Sequence, residues 1–272
     1  MNLRRMISEV REKGYNLTDA RARVCQDIVL KAISKSSLSR NVTIKGGVVM
    51  RSVTGDIRRA TQDIDIDFIK YSLSDESIEL FIKSINCING IKIVRIGEIE
   101  ELSQQDYSGK RIFVTITDDF GNSIDTKIDL GVHKYLEIEQ EEYCFDIAFD
   151  DEGVSLLINS REQMFVEKLR SLLKFGEYST RYKDIYDMFY QCDKVDSDKI
   201  IQCLCTYIFN DAEMRENKVE EIINRVATVF KNPVYRYRVD NSDKRWLDDE
   251  IEDVFATLLS YLESLTHYLT KV

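Results

Sequence analysis

Proline is nearly absent from this chain of 272 residues, which contains one proline and eleven glycines. So few helix-breaking residues favour a helix-rich structure with few long loops. No apolar run approaches twenty residues, and the first residues contain no apolar core of the kind found in signal peptides. We therefore expect neither a membrane span nor a secretory signal.

Histidine and paired cysteine are also scarce. The chain has two histidines, and its six cysteines form no C-x-x-C pair. Because zinc sites are built from clustered cysteine and histidine ligands, zinc binding is not expected. Dispersed free thiols are typical of a reducing compartment, so we expect a cytoplasmic protein.

Positive charge is in deficit, with 38 basic against 48 acidic residues and a net charge of −10. Proteins that bind nucleic acid generally are usually basic, so an RNA substrate would need a local basic patch on an acidic body. For each candidate residue of such a patch, the alternative interpretation is an ordinary solvated residue on the surface of a helix. The candidates are Arg4, Arg5, Arg11, Lys13, Arg51, Arg58, Arg59, Lys168, Arg170, Lys174, Arg181 and Lys183.

Carboxylates occupy every second position of the segment D-I-D-I-D, at Asp63, Asp65 and Asp67. Because side chains alternate along a strand, these three point to one face, while Ile64 and Ile66 point into a core. Carboxylates in a row repel one another unless a cation lies among them. Since Mg²⁺ takes oxygen ligands, the pattern predicts a magnesium site, with Mn²⁺ as the alternative ion.

Two glycines, Gly46 and Gly47, lie between the apolar strand 42–44 and an apolar stretch, 48–50, that can open a helix. Glycine permits close approach of the backbone to a ligand, and a helix N-terminus offers free N–H groups to phosphate. The P-loop pattern GxxxxGK[ST] is absent, and Lys45 precedes the glycines. A plain turn explains a glycine pair alone, but the aspartate strand downstream favours phosphate binding.

A strand, a glycine pair, a helix and D-x-D in this order resemble the polymerase-β-like nucleotidyltransferase superfamily. More narrowly, K-G-G…R-x-T-x-D-I-D is similar to the AbiEii/AbiGii toxin family, the abortive-infection nucleotidyltransferases of bacterial toxin–antitoxin systems. The residues that carry this motif are Lys45, Gly46, Gly47, Arg59, Thr61, Asp63 and Asp65.

A second motif of the same family resembles E-x-x-x-x-x-K-L-x-A-L…R-x-K-D-x-Y-D. It is carried by Glu162, Lys168, Leu169, Arg181, Lys183, Asp184, Tyr186 and Asp187. Ser171 stands where the family often has a small alanine. The resemblance covers residues 43–191 and does not extend to the remainder of the chain.

Strand patterns fill the first part of the chain and helix patterns the second, which indicates an α+β protein. The clearest elements are a helix over 18–35 with Thr18 as its N-cap, a hairpin of 111–117 and 123–132, and a helix that begins after Ser160. We expect a nucleotidyltransferase core with N-terminal helices over 1–159. The resemblance implies a polymerase-β-like mixed sheet with flanking helices there. We expect an all-helical C-terminal domain over 160–272.

The resemblance implies transfer of a nucleoside monophosphate from an NTP to a hydroxyl group, with release of pyrophosphate. Two metal ions require carboxylates from at least two strands. Asp63 and Asp65 supply one strand, and Asp129 is the expected third ligand, since it has the right parity on a neighbouring strand. Asp125 has the same parity and is the fallback, whereas Asp67 lies too far along its strand.

The expected nucleotide-binding residues are Lys45, Gly46, Gly47, Arg59, Thr61, Lys168, Arg181 and Asp184. By pattern alone Lys168 could be a lysine at the edge of an apolar stripe, but the resemblance implies phosphate binding and a catalytic role. Arg59 could hold its loop or a phosphate. Asp184 could orient Lys168, touch the nucleotide, or form a surface ion pair with Arg181 or Lys183.

The resemblance also implies an RNA acceptor, with the 3′ end of tRNA as the expected one, and a cognate antitoxin protein encoded nearby that need not bind the toxin. The acidic body suits a cationic aminoglycoside better than RNA, so a small-molecule nucleotidyltransferase is the first alternative. The second is a catalytically inactive nucleotide-binding module, against which the intact aspartate set argues.

Overall fold

The computed structural model describes residues 1–102 and 109–269. The chain divides into two compact units, a sheet unit, Met1–Asn159, and a helical unit, Ser160–Val272. A seven-stranded mixed sheet with accompanying helices forms the first, and helices form the second. The predicted α+β class is therefore confirmed.

The sheet unit alternates helices and strands along the chain before its strands become consecutive. Its elements are α1 (Leu3–Glu12), α2 (Leu17–Lys35), β1 (Val42–Lys45), α3 (Gly46–Thr54), β2 (Ile64–Phe68), α4 (Asp75–Ser84), β3 (Ile91–Leu102), β4 (Gly109–Asp118), β5 (Ser123–Val132), β6 (Glu141–Ile147) and β7 (Asp150–Ile158). A short 3₁₀ turn, Ile57–Arg59, lies between α3 and β2.

Strand β2 occupies the centre of the sheet, whose order is β3-β4-β5-β2-β1-β7-β6. It pairs antiparallel with β1 and parallel with β5. Ile64, Ile66 and Phe68 are buried at 1% exposure or less, as period-two alternation requires. The aspartates of the same strand consequently lie on the opposite face.

The predicted hairpin is confirmed, since β4 and β5 pair antiparallel across a turn at 119–122. Asp118 closes that turn by accepting hydrogen bonds from the backbone N–H groups of Phe120 and Asn122, each at 2.9 Å. It also accepts the N–H of Leu3 at 2.8 Å, which attaches the start of α1. These donors outweigh the cost of desolvation and lower the pKa of Asp118 to about 2.

The N-cap of helix α2 is Asn16, two residues before the predicted cap, so the assignment of Thr18 as the N-cap is wrong. Asn16 adopts an extended backbone, and its side-chain oxygen accepts the N–H of Asp19 at 2.9 Å. Asparagine is among the strongest N-cap residues, which accounts for the earlier start. Thr18 instead lies in the first turn.

The helical unit begins as predicted, because the hydroxyl of Ser160 caps α5 by accepting the N–H of Gln163 at 3.1 Å. Its helices are α5 (Arg161–Phe175), α6 (Tyr182–Gln191), α7 (Ser197–Leu204), α8 (Val219–Lys231), α9 (Pro233–Asp240) and α10 (Ile251–Leu269), with a π-helical turn at Cys205–Phe209 and a 3₁₀ turn at Gly176–Tyr178. Within the described ranges, no helix has both the length and the apolar character needed to cross a membrane.

Candidate active site

Four charged residues stand at one level across four neighbouring strands of the sheet unit. Lys45 on β1 is opposite Asp65 on β2, Asp65 is opposite Asp129 on β5, and Asp129 is opposite Arg111 on β4. We call this set the charged row. Its two aspartates are flanked on each side by a basic residue, so the sheet itself sets two carboxylates next to each other and partly neutralises them.

The carboxylates near this level form ion pairs with side chains of the same face. Arg111 binds Asp129 through two parallel hydrogen bonds, Nε to Oδ1 at 2.7 Å and Nη2 to Oδ2 at 2.8 Å. Such bidentate pairs are among the strongest in proteins. Nζ of Lys127 lies 2.8 Å from Oδ1 of Asp63.

The two remaining acidic positions of this face differ in their roles. Nζ of Lys45 lies 2.7 Å from Oδ1 of Asp67, and both side chains are buried. Asp67 therefore neutralises Lys45 within the sheet unit. Asp125, two positions from Lys127 along β5, accepts a hydrogen bond from the hydroxyl of Thr115 at 2.6 Å.

The carboxyl group of Asp65 has a shifted pKa. Burial raises the pKa of its carboxyl group, Lys45 opposes this shift, and the carboxylates of Asp129, Asp63 and Asp67 add to it, so that the pKa is about 6. Mutual repulsion of this kind is relieved by a cation close to the carboxylates.

The glycine pair is shaped by close approach of β2 and of the segment before it. Gly46 has a φ of +64°, and a methyl group added there would collide with Oδ2 of Asp65. One added at Gly47 would collide with the side chain of Thr61. The carbonyl of Thr61 in turn accepts a hydrogen bond from Nε2 of the buried Gln26 at 2.7 Å. Only glycine at both positions leaves room for this packing.

The donor chemistry of Asp63, Asp65 and Asp129 fits an oxygen-liganded divalent ion, since carboxylate oxygens are the preferred ligands of Mg²⁺. As the side chains stand, no group of three His, Cys, Asp or Glu residues within 1–102 and 109–269 is close enough together to hold a metal ion. Arg111 occupies both oxygens of Asp129, and Lys127 occupies one of Asp63. A divalent ion would have to compete with these two cations.

The remaining predicted residue of the first motif is Arg59, which lies in the 3₁₀ turn before β2 and is 2% exposed. Its guanidinium group is enclosed by the sheet unit. Of the two roles considered for it, holding the loop agrees better with this burial.

In the helical unit, Lys168 of α5 is held between two carboxylates of α6. Its Nζ lies 2.8 Å from Oδ1 of Asp184 and 2.9 Å from Oδ2 of Asp187. Arg181 is more distant, with Nη1 3.8 Å from Oδ2 of Asp184. Asp184 therefore contacts Lys168 directly, which is one of the roles predicted for it.

A narrow cleft adjoins this cluster. Ser171, the residue that departs from the family pattern, is 4% exposed there, and its hydroxyl has no hydrogen-bond partner among the described residues. The polar lining consists of Lys168, Ser171, Ser179, Arg181 and Asp184, with Leu172, Ile185 and Met188 as the apolar part.

Several partners of the predicted residues were not predicted from the sequence. Arg111 could have been found, because Arg111 and Asp129 are equally distant from Phe120 at the tip of the predicted hairpin and so face each other. Gln26 contacts Thr61, and the indole N–H of Trp246 contacts Asp187. Nothing in the local sequence indicates either contact, since the two partners are far apart along the chain.

Comparison with known proteins agrees with the motifs. The family model described as "Nucleotidyl transferase AbiEii toxin, Type IV TA system" matches residues 28–263. A search of curated protein sequences gives no match. Among solved structures, the chain is similar to the crystal structure of JHP933 from Helicobacter pylori at 15% identity, with 91% of each chain covered and a TM-score of 0.44. Since the family model matches most of its length, the chain belongs to the AbiEii nucleotidyl transferase toxin family of type IV toxin–antitoxin systems.

Proposed function

We propose that this protein is a Mg²⁺-dependent toxin that transfers a nucleoside monophosphate from an NTP to an RNA acceptor, the 3′ end of tRNA, and releases pyrophosphate. The observation that carries the proposal is the direct register of Asp65 with Asp129 beside the Gly46–Gly47 turn. Family membership supports the reaction class. Because NTPs and tRNA are found in the cytoplasm, we place the activity there.

In this reaction a hydroxyl oxygen of the acceptor bonds to the α-phosphorus of the NTP. The bond from that phosphorus to the bridging oxygen breaks, pyrophosphate leaves with the electron pair, and the hydroxyl releases its proton. Asp63, Asp65 and Asp129 would hold the metal, one or two ions of Mg²⁺ or Mn²⁺, which when bound neutralise charge on the phosphates and lower the pKa of the attacking hydroxyl. The protein's own contribution is to position these groups and to supply positive charge.

The residues proposed for the nucleotide are those of the two motifs. The N–H groups at the start of α3, which begins at Gly46 and Gly47, suit a phosphate oxygen, because they are the unpaired donors of a helix N-terminus. Thr61 keeps the adjacent segment in place, Arg59 supports the loop before β2, and we keep Lys45 as a nucleotide-binding proposal. Among the helical residues, we propose Lys168 as the phosphate-binding cation, with Arg181 and Asp184 beside it.

The proposed test uses purified protein, each of the four labelled NTPs, Mg²⁺ and total tRNA. We expect label on the tRNA 3′ end, and expression in a bacterium should add nucleotides that sequencing of RNA 3′ ends identifies. Asp65→Asn should reduce transfer at least about 100-fold and relieve toxicity without unfolding the protein. Asp125→Asn, at a carboxylate that accepts a hydrogen bond from Thr115 on the facing strand, is the matched control and should keep transfer.

A small-molecule nucleotidyltransferase remains the second candidate, favoured by one observation, the net charge of −10. A polycationic aminoglycoside is attracted to such a body, whereas RNA is repelled. Label that appears on an added aminoglycoside and not on tRNA would replace the toxin proposal by this one. Binding of NTP without any transfer would instead indicate an inactive nucleotide-binding module. The cognate antitoxin is proposed to be a separate protein encoded nearby.

A further inference from the structure

Lys168 has one partly exposed and one fully buried carboxylate partner. The side chain of Asp184 is 17% exposed, lines the cleft and lies next to Arg181. The side chain of Asp187 is fully buried. Each carboxylate lies within 3 Å of the same ammonium group, so the two partners are similar in contact and differ in their access to a ligand.

Asp187 is fixed by a third residue from a distant part of the helical unit. Its Oδ1 accepts the indole N–H of Trp246 at 3.1 Å, while its Oδ2 faces Lys168. Trp246 is 1% exposed and is the only tryptophan of the chain. Because both oxygens of Asp187 are engaged and the group is enclosed, this carboxylate has little freedom to turn away from Lys168.

We propose that Asp187 and Trp246 are positioning residues that hold the ammonium group of Lys168 at the edge of the cleft, and that Asp184 is the partner it exchanges for a phosphate oxygen of the nucleotide. The inference rests on the proposed phosphate-binding role of Lys168. A phosphate group that replaces Asp184 leaves Lys168 still paired with Asp187. The lysine therefore does not have to be reoriented when the ligand arrives, which lowers the entropic cost of binding.

The experiment compares four variants of the full chain. Trp246→Phe keeps an aromatic ring but removes the N–H donor together with part of the indole ring, so its loss of packing is judged against the destabilised control named below. Asp187→Asn keeps the shape of the side chain and removes its charge. Lys168→Ala tests the proposed role of the lysine itself. The matched control is Asp196→Ala, which removes the N-cap of α7 and destabilises the same unit without touching Lys168.

For each variant we would measure binding of the α,β-methylene analogues of the four ribonucleoside triphosphates by calorimetry, kcat and KM for transfer, and thermal unfolding. We expect Trp246→Phe to weaken binding and raise the KM for NTP about tenfold, with kcat changed less than about threefold. Asp187→Asn should weaken binding more, and Lys168→Ala most. Asp196→Ala should lower the unfolding temperature and leave nucleotide binding unchanged.

Two results would overturn the inference and can be told apart. If Lys168→Ala binds and transfers nucleotide as the wild type does, the proposed role of Lys168 fails, and the positioning role fails with it. If Lys168→Ala is impaired while Trp246→Phe and Asp187→Asn bind nucleotide no worse than Asp196→Ala, the role of Lys168 stands and only the positioning by Asp187 and Trp246 is refuted. Should Asp187→Asn not fold, Trp246→Phe alone decides.

Discussion

At the scale of single residues, Gly46 combines two constraints that are usually separate. Its φ of +64° disfavours any residue with a Cβ atom, and the space a Cβ would occupy is filled by the carboxylate of Asp65. Gly55, at the other end of α3, has the same φ of +64°, but a Cβ added there would meet nothing within 4 Å. An alanine at Gly55 would therefore introduce backbone strain alone, whereas an alanine at Gly46 would introduce the same strain and also displace Asp65.

We expect Gly46→Ala to destabilise the protein by about 1–2 kcal/mol from the left-handed backbone alone, and to abolish most of the transfer activity because Asp65 must move. Gly55→Ala should show a similar loss in the free energy of unfolding with activity retained. Urea unfolding and labelled-nucleotide transfer provide the two measurements. Equal activity in both alanine variants would show that the position of Asp65 does not limit transfer.

At the scale of elements, the charged row depends on the pairing of strands and not on any one strand. Arg111 belongs to β4 and Asp129 to β5, so the hairpin alone supplies a neutral pair, and β2 adds Asp65 to it. Arg111 thereby stabilises the acidic cluster, and it would compete with the proposed metal ion for both oxygens of Asp129.

Arg111→Gln should lower the free energy of unfolding by about 1–3 kcal/mol in EDTA, because Asp129 loses its charged partner beside Asp65. Addition of Mg²⁺ should then raise the unfolding temperature more in this variant than in the wild type. Arg40→Gln, which removes a largely exposed pair with Glu142, is the control and should change neither quantity appreciably. An identical response to Mg²⁺ in all three proteins would argue against Asp129 as a metal ligand.

The turn of the same hairpin makes a prediction about acid stability. The pKa of Asp118 is about 2 in the folded protein, below the value of about 3.9 for an unfolded chain. Its contribution to stability is therefore complete above about pH 4 and is lost as the pH falls through about 2. Asp118→Asn should remove this part of the acid dependence. The measurement is urea unfolding from about pH 6, which is above both pKa values, down to about pH 2. Asp119→Asn, at the exposed neighbouring position, should retain this acid dependence.

At the scale of the whole molecule, the excess of acidic over basic residues limits how the protein can bind the proposed RNA acceptor. A net charge of −10 repels a polyanion at long range, so binding must rely on a few local contacts. We expect the KM for tRNA to rise with the concentration of KCl. The slope of log KM against log [KCl] should correspond to about two to four phosphate contacts, fewer than the roughly six to ten made by strongly basic binders. A slope as steep as theirs would mean that an extended basic surface binds the RNA.

The sequence predicted the local features well, because they depend on short-range periodicity. Alternation along β2 and β5 correctly placed the isoleucines in the core, and Ser160 was identified as a cap from its hydroxyl and position. The family resemblance is confirmed by the family model, which matches residues 28–263. Helix α9 was not predicted, although Pro233 at its first helical position follows the cap Asn232, which is a favourable helix start.

The long-range features of the site could not be obtained from one sequence. Parallel pairing brings Asp65 opposite Asp129, and nothing local to β2 or β5 specifies that register. In the same way, the indole of Trp246 reaches Asp187 only through the packing of the helical unit. Such contacts depend on tertiary structure, which overrides what a pattern within one segment can indicate.

The parallel pairing of β2 with β5 also has a consequence for how the toxin is made. Asp65 can pair with its neighbour only after the ribosome has synthesised Asp129, and β1 can pair with its second partner strand only after β7 has been synthesised. A nascent or prematurely terminated chain carries the D-x-D segment without the strand that completes it. A truncated chain that ends before Asp129 therefore holds Asp65 without its neighbouring carboxylate and lacks one of the three proposed metal ligands.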